Sequence, residues 1–253
     1  MKGFLQEYGI IMVVVAVVLG MLAFGKSGFS KNIQEAIIGS TNHIAETGDN
    51  ITKGLEVKTG DVLNIEGNEY IVIEKNDENQ YKVLWKESLG NKPFQSTTRD
   101  DALNENTYEG SEIDRYLEIE YYGALSSRLK DAIVESSIRQ SSYSSYDITS
   151  KKDTGPGGQI YNVLNRHVYL PSIEEIGKLV DLNSADKIKL FLNNVLIWTR
   201  DSCFNNNKLV MDFDASYGGL GNNWTSVEYG VRPAFVIDLS KVDYTEAGHV
   251  DYK

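Results

Sequence analysis

The residues best suited to chemistry in this 253-residue sequence lie between Arg200 and Tyr229, and the chemistry they suit is binding. Tyr and Trp supply a large contact area at a low cost in side-chain entropy, while Asn both donates and accepts hydrogen bonds. An alternative is that Asn and Gly only form turns here and that Trp224 belongs to the core. Ten residues are predicted to bind a ligand: Phe204, Asn205, Asn206, Asn207, Asp214, Ser216, Tyr217, Asn222, Asn223 and Trp224.

Residue types that carry out catalysis or bind metals are few and scattered. The three histidines are far apart in the sequence, and Cys203 is the only cysteine, which excludes an intramolecular disulfide and a Cys-rich zinc site. Asp212, Asp214 and Glu228 are candidate calcium ligands, but we predict no essential calcium because such a site needs more clustered oxygen ligands. No paired carboxylates, His–acid pair or activated nucleophile is evident. The sequence therefore predicts no enzyme, cofactor or metal site.

The charge balance bears on the kind of partner. The formal net charge is −11, with 36 acidic against 25 basic residues, and no basic stripe interrupts it. Such a molecule repels a phosphate backbone, so we predict no nucleic-acid partner. The apolar fraction of 41% is that of an ordinary globular protein, and it favours one large domain.

The elements that must position the binding residues are indicated by hydrophobic patterning. Helices are predicted at residues 111–121 and 125–136, and a further helix begins at Ser172, where Glu175 completes a capping box. Towards the C-terminus, short β-rich runs alternate with Asn- and Gly-rich loops. Strands, then helices, then strands predict a segregated α+β domain. Three β-rich runs separated by turn residues predict an antiparallel meander: 62–65, 69–73 and 81–85.

An uncharged apolar run from Ile10 to Phe24 precedes the domain. With its neighbours, this run is close to the shortest helix that spans a bilayer. A cleaved signal peptide is the competing interpretation, although the small-residue cleavage pattern after the run is poor. We predict a hydrophobic helix in residues 1–47 as a membrane anchor or filament core, a linker in 48–60 and the domain in 61–253.

The N-terminal residues also carry a resemblance to a known family. Lys2–Phe4, Glu7–Gly9 and Phe24–Lys26, placed around the apolar run, resemble the N-terminal helix of tight-adherence (Flp-type) pilins. In that family a peptidase cuts after a glycine, here Gly3, and the apolar helices pack into a filament core. One departure is that Glu7 is the fourth residue after Gly3, where the family has its glutamate fifth. The resemblance implies a filament or membrane helix that contains Phe4, Glu7 and Tyr8.

Four segments in the rest of the chain carry a second resemblance. They are Gly110–Leu117, His167–Ser172, Trp198–Asp201 and Tyr229–Phe235. Their order and spacing are similar to a bacterial domain family of unassigned function that is itself similar to the C-type-lectin-like and formylglycine-generating-enzyme-like superfamily. The resemblance covers roughly residues 61–242.

This second resemblance implies a rigid sheet that carries recognition loops, here within residues 200–229. Trp198 is expected to anchor the core beneath these loops, and Arg232 is expected to bond loop carbonyls or a carboxylate. The enzymes of that superfamily rely on active-site cysteines, so the single cysteine argues against their activity.

Taken together, the sequence predicts a surface-displayed ligand-binding or adhesion protein with an extracellular domain. Its predicted fold is α+β, with one N-terminal hydrophobic helix followed by one C-type-lectin-like domain. The predicted partners are the lipid bilayer or neighbouring copies for the helix, and an unidentified protein or glycan ligand for the domain. A pilin-like structural subunit of a surface filament is the alternative.

Overall fold

The computed structural model describes residues 56–99, 103–143, 163–204 and 206–253, which belong to a unit that begins at Glu56. The predicted N-terminal helix with Phe4, Glu7 and Tyr8 lies outside the described residues, as does Asn205. Within the described ranges, no helix is long and apolar enough to cross a membrane.

Strands make up most of the regular structure. In chain order they are β1 (Asp61–Ile65), β2 (Asn68–Lys75), β3 (Gln80–Trp85), β4 (Asn91–Pro93), β5 (Ile133–Val134), β6 (Ser136–Arg139), β7 (Ser142–Tyr143), β8 (Val163–Arg166), β9 (Ile197–Cys203), β10 (Leu209–Asp214), β11 (Gly219–Trp224), β12 (Glu228–Gly230), β13 (Ala234–Asp238) and β14 (Thr245–His249).

The first sheet is built on the predicted meander. Its order is β14-β1-β2-β3-β13-β5, and β1, β2 and β3 pair antiparallel in sequence, which confirms the meander. The β1–β2 turn consists of Glu66 and Gly67, both with positive φ, as the tightest hairpin connections require. Strand β13 joins the far side of β3, so residues near both ends of the domain share one sheet.

The second sheet carries the residues of functional interest. Its order is β11-β10-β9-β12-β4, and β7 pairs with one end of β9. All seven residues of β9 are buried, so both faces of this strand are covered by other parts of the domain. A separate two-stranded ribbon is formed by β6 and β8.

Short helices connect the strands. Four of them begin at a serine whose hydroxyl accepts a backbone N–H of the first turn, and Ser172 with Glu175 forms the predicted capping box. In chain order the helices are α1 (Glu112–Arg115), a π-helical segment (Tyr116–Tyr121), α2 (Tyr122–Ala124), α3 (Ser127–Ala132), α4 (Ile173–Leu179), α5 (Ala185–Leu192) and a 3-10 turn (Leu239–Lys241).

The predicted fold class is wrong. The described residues are mostly β-sheet, with 39% strand and 21% helix, and they do not show one long apolar helix followed by a domain. Residues 200–229 are expected to be recognition loops, but the strands β10 and β11 lie within them; glycine and asparagine are depleted from strands, so the composition of residues 219–224 predicts a loop where β11 forms. The predicted helix over 125–136 is also too long, because Ile133 and Val134 pair with β13 instead.

A buried ion network connects the two sheets. The carboxylate of Glu175 accepts two hydrogen bonds from Arg200, at 2.5 and 3.1 Å, and lies 2.9 Å from Lys82 Nζ. Lys82 is on β3 of the first sheet, Arg200 is on β9 of the second, and Glu175 is on α4 between them. Burial disfavours the charged carboxylate, but Arg200 and Lys82 outweigh burial and hold the pKa of Glu175 at about 2.

The Glu175→Gln variant tests this connection. Removing the carboxylate leaves the buried Arg200 without its counter-charge, which costs about 3–5 kcal/mol of unfolding free energy. Urea denaturation at neutral pH measures the loss. Glu174→Gln is the matched control, because Glu174 is exposed on the same helix, and its unfolding free energy changes by about 0.5 kcal/mol or less. Equal urea midpoints for the two variants would show that the network does not stabilise the domain by connecting its sheets.

Candidate functional site

The β10–β11 hairpin carries most of the predicted binding residues. Its register pairs Asp214 with Gly219, so residues 215–218 form the turn. Asp214 Oδ1 accepts the backbone N–H of Ser216 at 2.7 Å, which closes the first half of the turn. Gly218 completes the turn with a φ of +72° and packs so closely on α5 that a Cβ there would collide with the carbonyl of Ala185. The hairpin is thereby fixed to the helix beneath it.

The register divides the predicted binding residues between two faces of the hairpin. Asp212 pairs with Gly221, and successive strand residues alternate in direction, so Asn223 shares a face with Asp212. Asn222 and Trp224 belong to the opposite face. Trp224 is 53% exposed, so it is not a core residue. The predicted residues of β11 therefore do not form one site.

The described asparagines between β9 and β10, Asn206 and Asn207, lie in the connection between the two strands. The side chain of Asn206 accepts the backbone N–H of the residue two positions on, and the carbonyls of Asn206 and Asn207 accept hydrogen bonds from the buried Asn106. Phe204 is half-buried in the same connection, and its N–H donates to a backbone carbonyl of β7. Turn formation accounts for the polar groups of these residues, as the alternative interpretation of the sequence allows.

Asp212 is a buried acid without a partner. Its side chain is 2% exposed, and Oδ2 has no hydrogen-bond partner among the described residues. Burial, and secondarily the nearby Asp214, raise the pKa of Asp212 to about 7. A buried carboxylate without a partner costs folding free energy. Groups of this kind occur chiefly where function requires them.

Tyr217 lies over the glycines of β11 and beside Asp212. Its ring fills the space of a side chain at Gly219, where a Cβ would lie 2.6 Å from the ring. At Gly221, a Cβ would lie 2.5 Å from the Tyr217 hydroxyl and 2.7 Å from Asp212 Oδ1, so both polar groups converge over this glycine. Although it is packed in this way, Tyr217 remains 52% exposed. It is therefore a positioned aromatic surface that is still open to solvent.

The same face continues towards β12. Asn223 Nδ2 donates to the hydroxyl of Tyr229 at 2.6 Å, and the Tyr229 ring packs on Trp198 with a centroid separation of 4.6 Å. Trp198 is fully buried, and its Nε1 donates to the carbonyl of Lys92, which confirms its predicted role in the core. We name this surface the Asp212 face: Asp212, Tyr217, Asn223 and Tyr229.

Arg232 belongs to the framework and not to the Asp212 face. It donates to the carbonyls of Trp85 and Phe191 at 2.9 and 3.3 Å, which confirms the expected bonding to carbonyls. Burial, partly opposed by Tyr252, lowers the pKa of Arg232 to about 10.

Two histidines contact carboxylates, contrary to the expectation that no His–acid pair exists. His167 Nδ1 lies 2.8 Å from Glu118, and His249 Nδ1 lies 2.8 Å from Asp61. The second carboxylate oxygen of Glu118 accepts two backbone N–H groups at the end of β8. Within the described part of the chain, neither histidine hydrogen-bonds to a serine, threonine or cysteine side chain. These pairs therefore resemble structural contacts more than a catalytic dyad.

A cleft of about 590 Å³ lies beside α4, away from the Asp212 face. Its rim includes Ser141 and Ile173, whose backbone N–H groups both donate to the carboxylate of Asp201. These two backbone groups connect the start of α4 and the residue before β7 to β9. In the described ranges, no group of three or more His, Cys, Asp or Glu side chains is arranged to hold a metal ion.

Comparison with known proteins gives one family. A domain family described as a domain of unknown function, DUF6273, matches residues 68–239. The chain belongs to the DUF6273 family. No curated protein and no solved structure gives a significant match. The residues matched to DUF6273 include the whole Asp212 face and the Glu175–Arg200 pair, while the lectin-like and pilin-like resemblances stay predictions.

The sequence patterns missed part of the Asp212 face of this DUF6273 protein. The sequence indicates Asp212 only as a candidate calcium ligand and Tyr229 only as the end of a segment. A signal for Asp212 exists, since it is an acid inside the apolar run Leu209–Phe213. The alternation of Gly219 and Gly221 likewise indicates a strand whose face is open to a neighbouring side chain.

Stability should depend on pH through Asp212. Because the folded-state pKa of about 7 is above the unfolded value of about 4, the unfolded state ionises first, so the domain loses stability as the pH rises from about 4 to about 7 and keeps this penalty at higher pH. Asp212→Asn is therefore expected to raise the unfolding free energy at pH 8 by about 1–3 kcal/mol and to raise it by less than about half as much at pH 5. Thermal melts at both pH values measure this, with Asp214→Asn as the control. A gain that is equal at both pH values would contradict the assignment.

Proposed function

We propose that this DUF6273 protein is a ligand-binding protein and that the Asp212 face recognises the ligand. The observation that carries the proposal is a buried, unpaired carboxylate beside a packed but half-exposed tyrosine. The first feature costs the fold free energy, and the second leaves about half of an aromatic side chain in water. A ligand would offset both costs.

The face is organised for binding before a ligand arrives. Gly219 and Gly221 hold the Tyr217 ring against β11, so little side-chain entropy remains to be lost. Asn223 and Tyr229 already form a hydrogen bond, and burial raises the pKa of Tyr217 to about 12, which keeps its hydroxyl protonated. The face thus offers an aromatic surface, a carboxylate, an amide and two hydroxyls within one hairpin and its neighbour.

The proposed place of this recognition is the cell surface. The uncharged sequence from Ile10 to Phe24 supports attachment of the chain to a bilayer or to neighbouring copies. The proposed ligand is a protein or a glycan outside the cell. A filament subunit of pilin type is the alternative drawn from the sequence, and it depends on residues outside the described part.

Tyr217→Ala and Trp224→Ala form a matched pair of tests. Both replace a half-exposed aromatic residue of the same hairpin, but only Tyr217 lies on the Asp212 face. The full chain, purified in mild detergent, is applied to a glycan array and an array of short peptides. Tyr217→Ala is expected to weaken binding by about 10-fold or more, whereas Trp224→Ala keeps it, since truncating a central aromatic hot-spot residue costs about 2 kcal/mol.

Thermal melts of both variants accompany the arrays, and both are expected to keep a cooperative transition because exposed positions contribute little to stability. Binding that is lost with Trp224→Ala and kept with Tyr217→Ala would move the site to the opposite face. A wild-type chain that binds nothing on either array would reject recognition of these two ligand classes.

A further inference from the structure

The Asp212 face is acidic and holds no counter-charge for its buried acid. Burial and Asp214 account for the raised pKa of Asp212, and no cation among the described residues lowers it. The charged and titratable groups that face it are Asp214 on the same strand, Tyr217 in the turn and Tyr229 on β12. Lys189 of α5 approaches the turn at Gly218, where its stem packs, but it does not pair with Asp212.

This contrasts with the treatment of buried acids elsewhere in the domain. Glu175 has Arg200 and Lys82, and Asp114 has a bidentate pair with Arg166, at 2.8 Å for each hydrogen bond. Asp201, also buried, accepts two backbone N–H groups. Asp212 alone among these four lacks such a partner, and it lies beside the half-exposed Tyr217.

We infer that the ligand of the Asp212 face presents an alkylammonium or guanidinium group, whose positive charge pairs with Asp212 between the rings of Tyr217 and Tyr229. The inference rests on the proposed function and names the chemical class of its ligand. A cation supplies what the site lacks, because it neutralises the carboxylate, donates to Oδ2 and is attracted to aromatic rings. The Tyr217 hydroxyl and Asp212 Oδ1 converge over Gly221, and the half-exposed Tyr217 ring leaves this part of the face open to solvent.

Other ligand chemistries fit the site less well. An anion would face Asp212 and Asp214 without any basic group to hold it, in a molecule of net charge −11. An uncharged hydroxyl can donate to Oδ2, but it leaves the carboxylate's charge uncompensated in a buried position. A bare metal ion would need several more oxygen ligands than the face offers.

Two sources can supply the group. One is a lysine or arginine side chain of a partner protein, and the other is a free diamine. They share the charge but differ in what surrounds it, because a peptide also contacts Asn223 and the aromatic rings along its backbone. A peptide is therefore expected to bind more tightly than the diamine.

The test uses defined probes and the full chain in mild detergent. Titration calorimetry compares a short peptide with a central lysine, the same peptide with norleucine in that position, and 1,4-diaminobutane. The lysine peptide is expected to bind about 10-fold more tightly than the norleucine peptide at pH 8, a difference typical of one charge-assisted hydrogen bond with cation–π contact. Asp212→Asn is expected to abolish this difference, and Asp214→Asn to preserve most of it.

Gly221→Ala provides a second variant that leaves the charge in place. A Cβ at this position requires the Tyr217 hydroxyl and Asp212 Oδ1 to move apart, while the strand backbone tolerates alanine. Loss of lysine-peptide binding in this variant, with an intact thermal transition, is expected. Unchanged binding would contradict a site over Gly221.

The remaining outcomes separate this inference from the proposed function. Equal binding of the lysine and norleucine peptides, or binding that Asp212→Asn leaves unchanged, overturns the cationic ligand. If an uncharged glycan then binds and Tyr217→Ala removes that binding, the proposed function stands without the cationic ligand. Binding of the diamine and not of the peptide overturns the protein side chain as the source of the charge.

Discussion

The salt bridge between Glu175 and Arg200 is the interaction on which the rest of the domain depends. It lies where α4 meets β9, and Lys82 extends it to the neighbouring sheet. Arg200 also donates to the carbonyls of Arg139 and Leu170, so one guanidinium holds two segments of backbone as well as the Glu175 side chain of α4. Strand β9 in turn supplies the pairing for β10, and β10 supports the hairpin of the Asp212 face.

The buried carboxylates of the domain therefore have two different environments, one with cationic partners and one without. In the network, Arg200 and Lys82 compensate the charge of Glu175, and the low pKa of Glu175 reflects this compensation. At Asp212 the carboxylate is left without compensation and its pKa moves in the opposite direction. The rigidity provided by the first site is what allows the second to persist, because an isolated hairpin could relax to hydrate its acid.

Local patterns in the sequence predicted local structure well. The meander and the Ser172 capping box depend on residues within a few positions of one another, so their signals are visible in sequence. The Glu175–Arg200 pair joins residues 25 positions apart, and no periodicity indicates it. The Asp212 face was missed for a related reason: which residues share a face depends on strand register, and the Gly- and Asn-rich composition of β11 concealed that it is a strand.

The composition of β11 also limits how its surface can evolve. This strand is at one end of its sheet in the described part of the chain, and its six residues include no charge and no proline, the usual barriers to pairing with strands of other molecules. Its solubility depends on Asn222, Asn223 and the weak strand propensity of its glycines. Replacing these residues with β-branched or apolar ones would strengthen the strand and enlarge its contact area, but it would also create an aggregation-prone edge. Substitutions that change the Asp212 face without strengthening this edge are therefore confined largely to the turn and to β12.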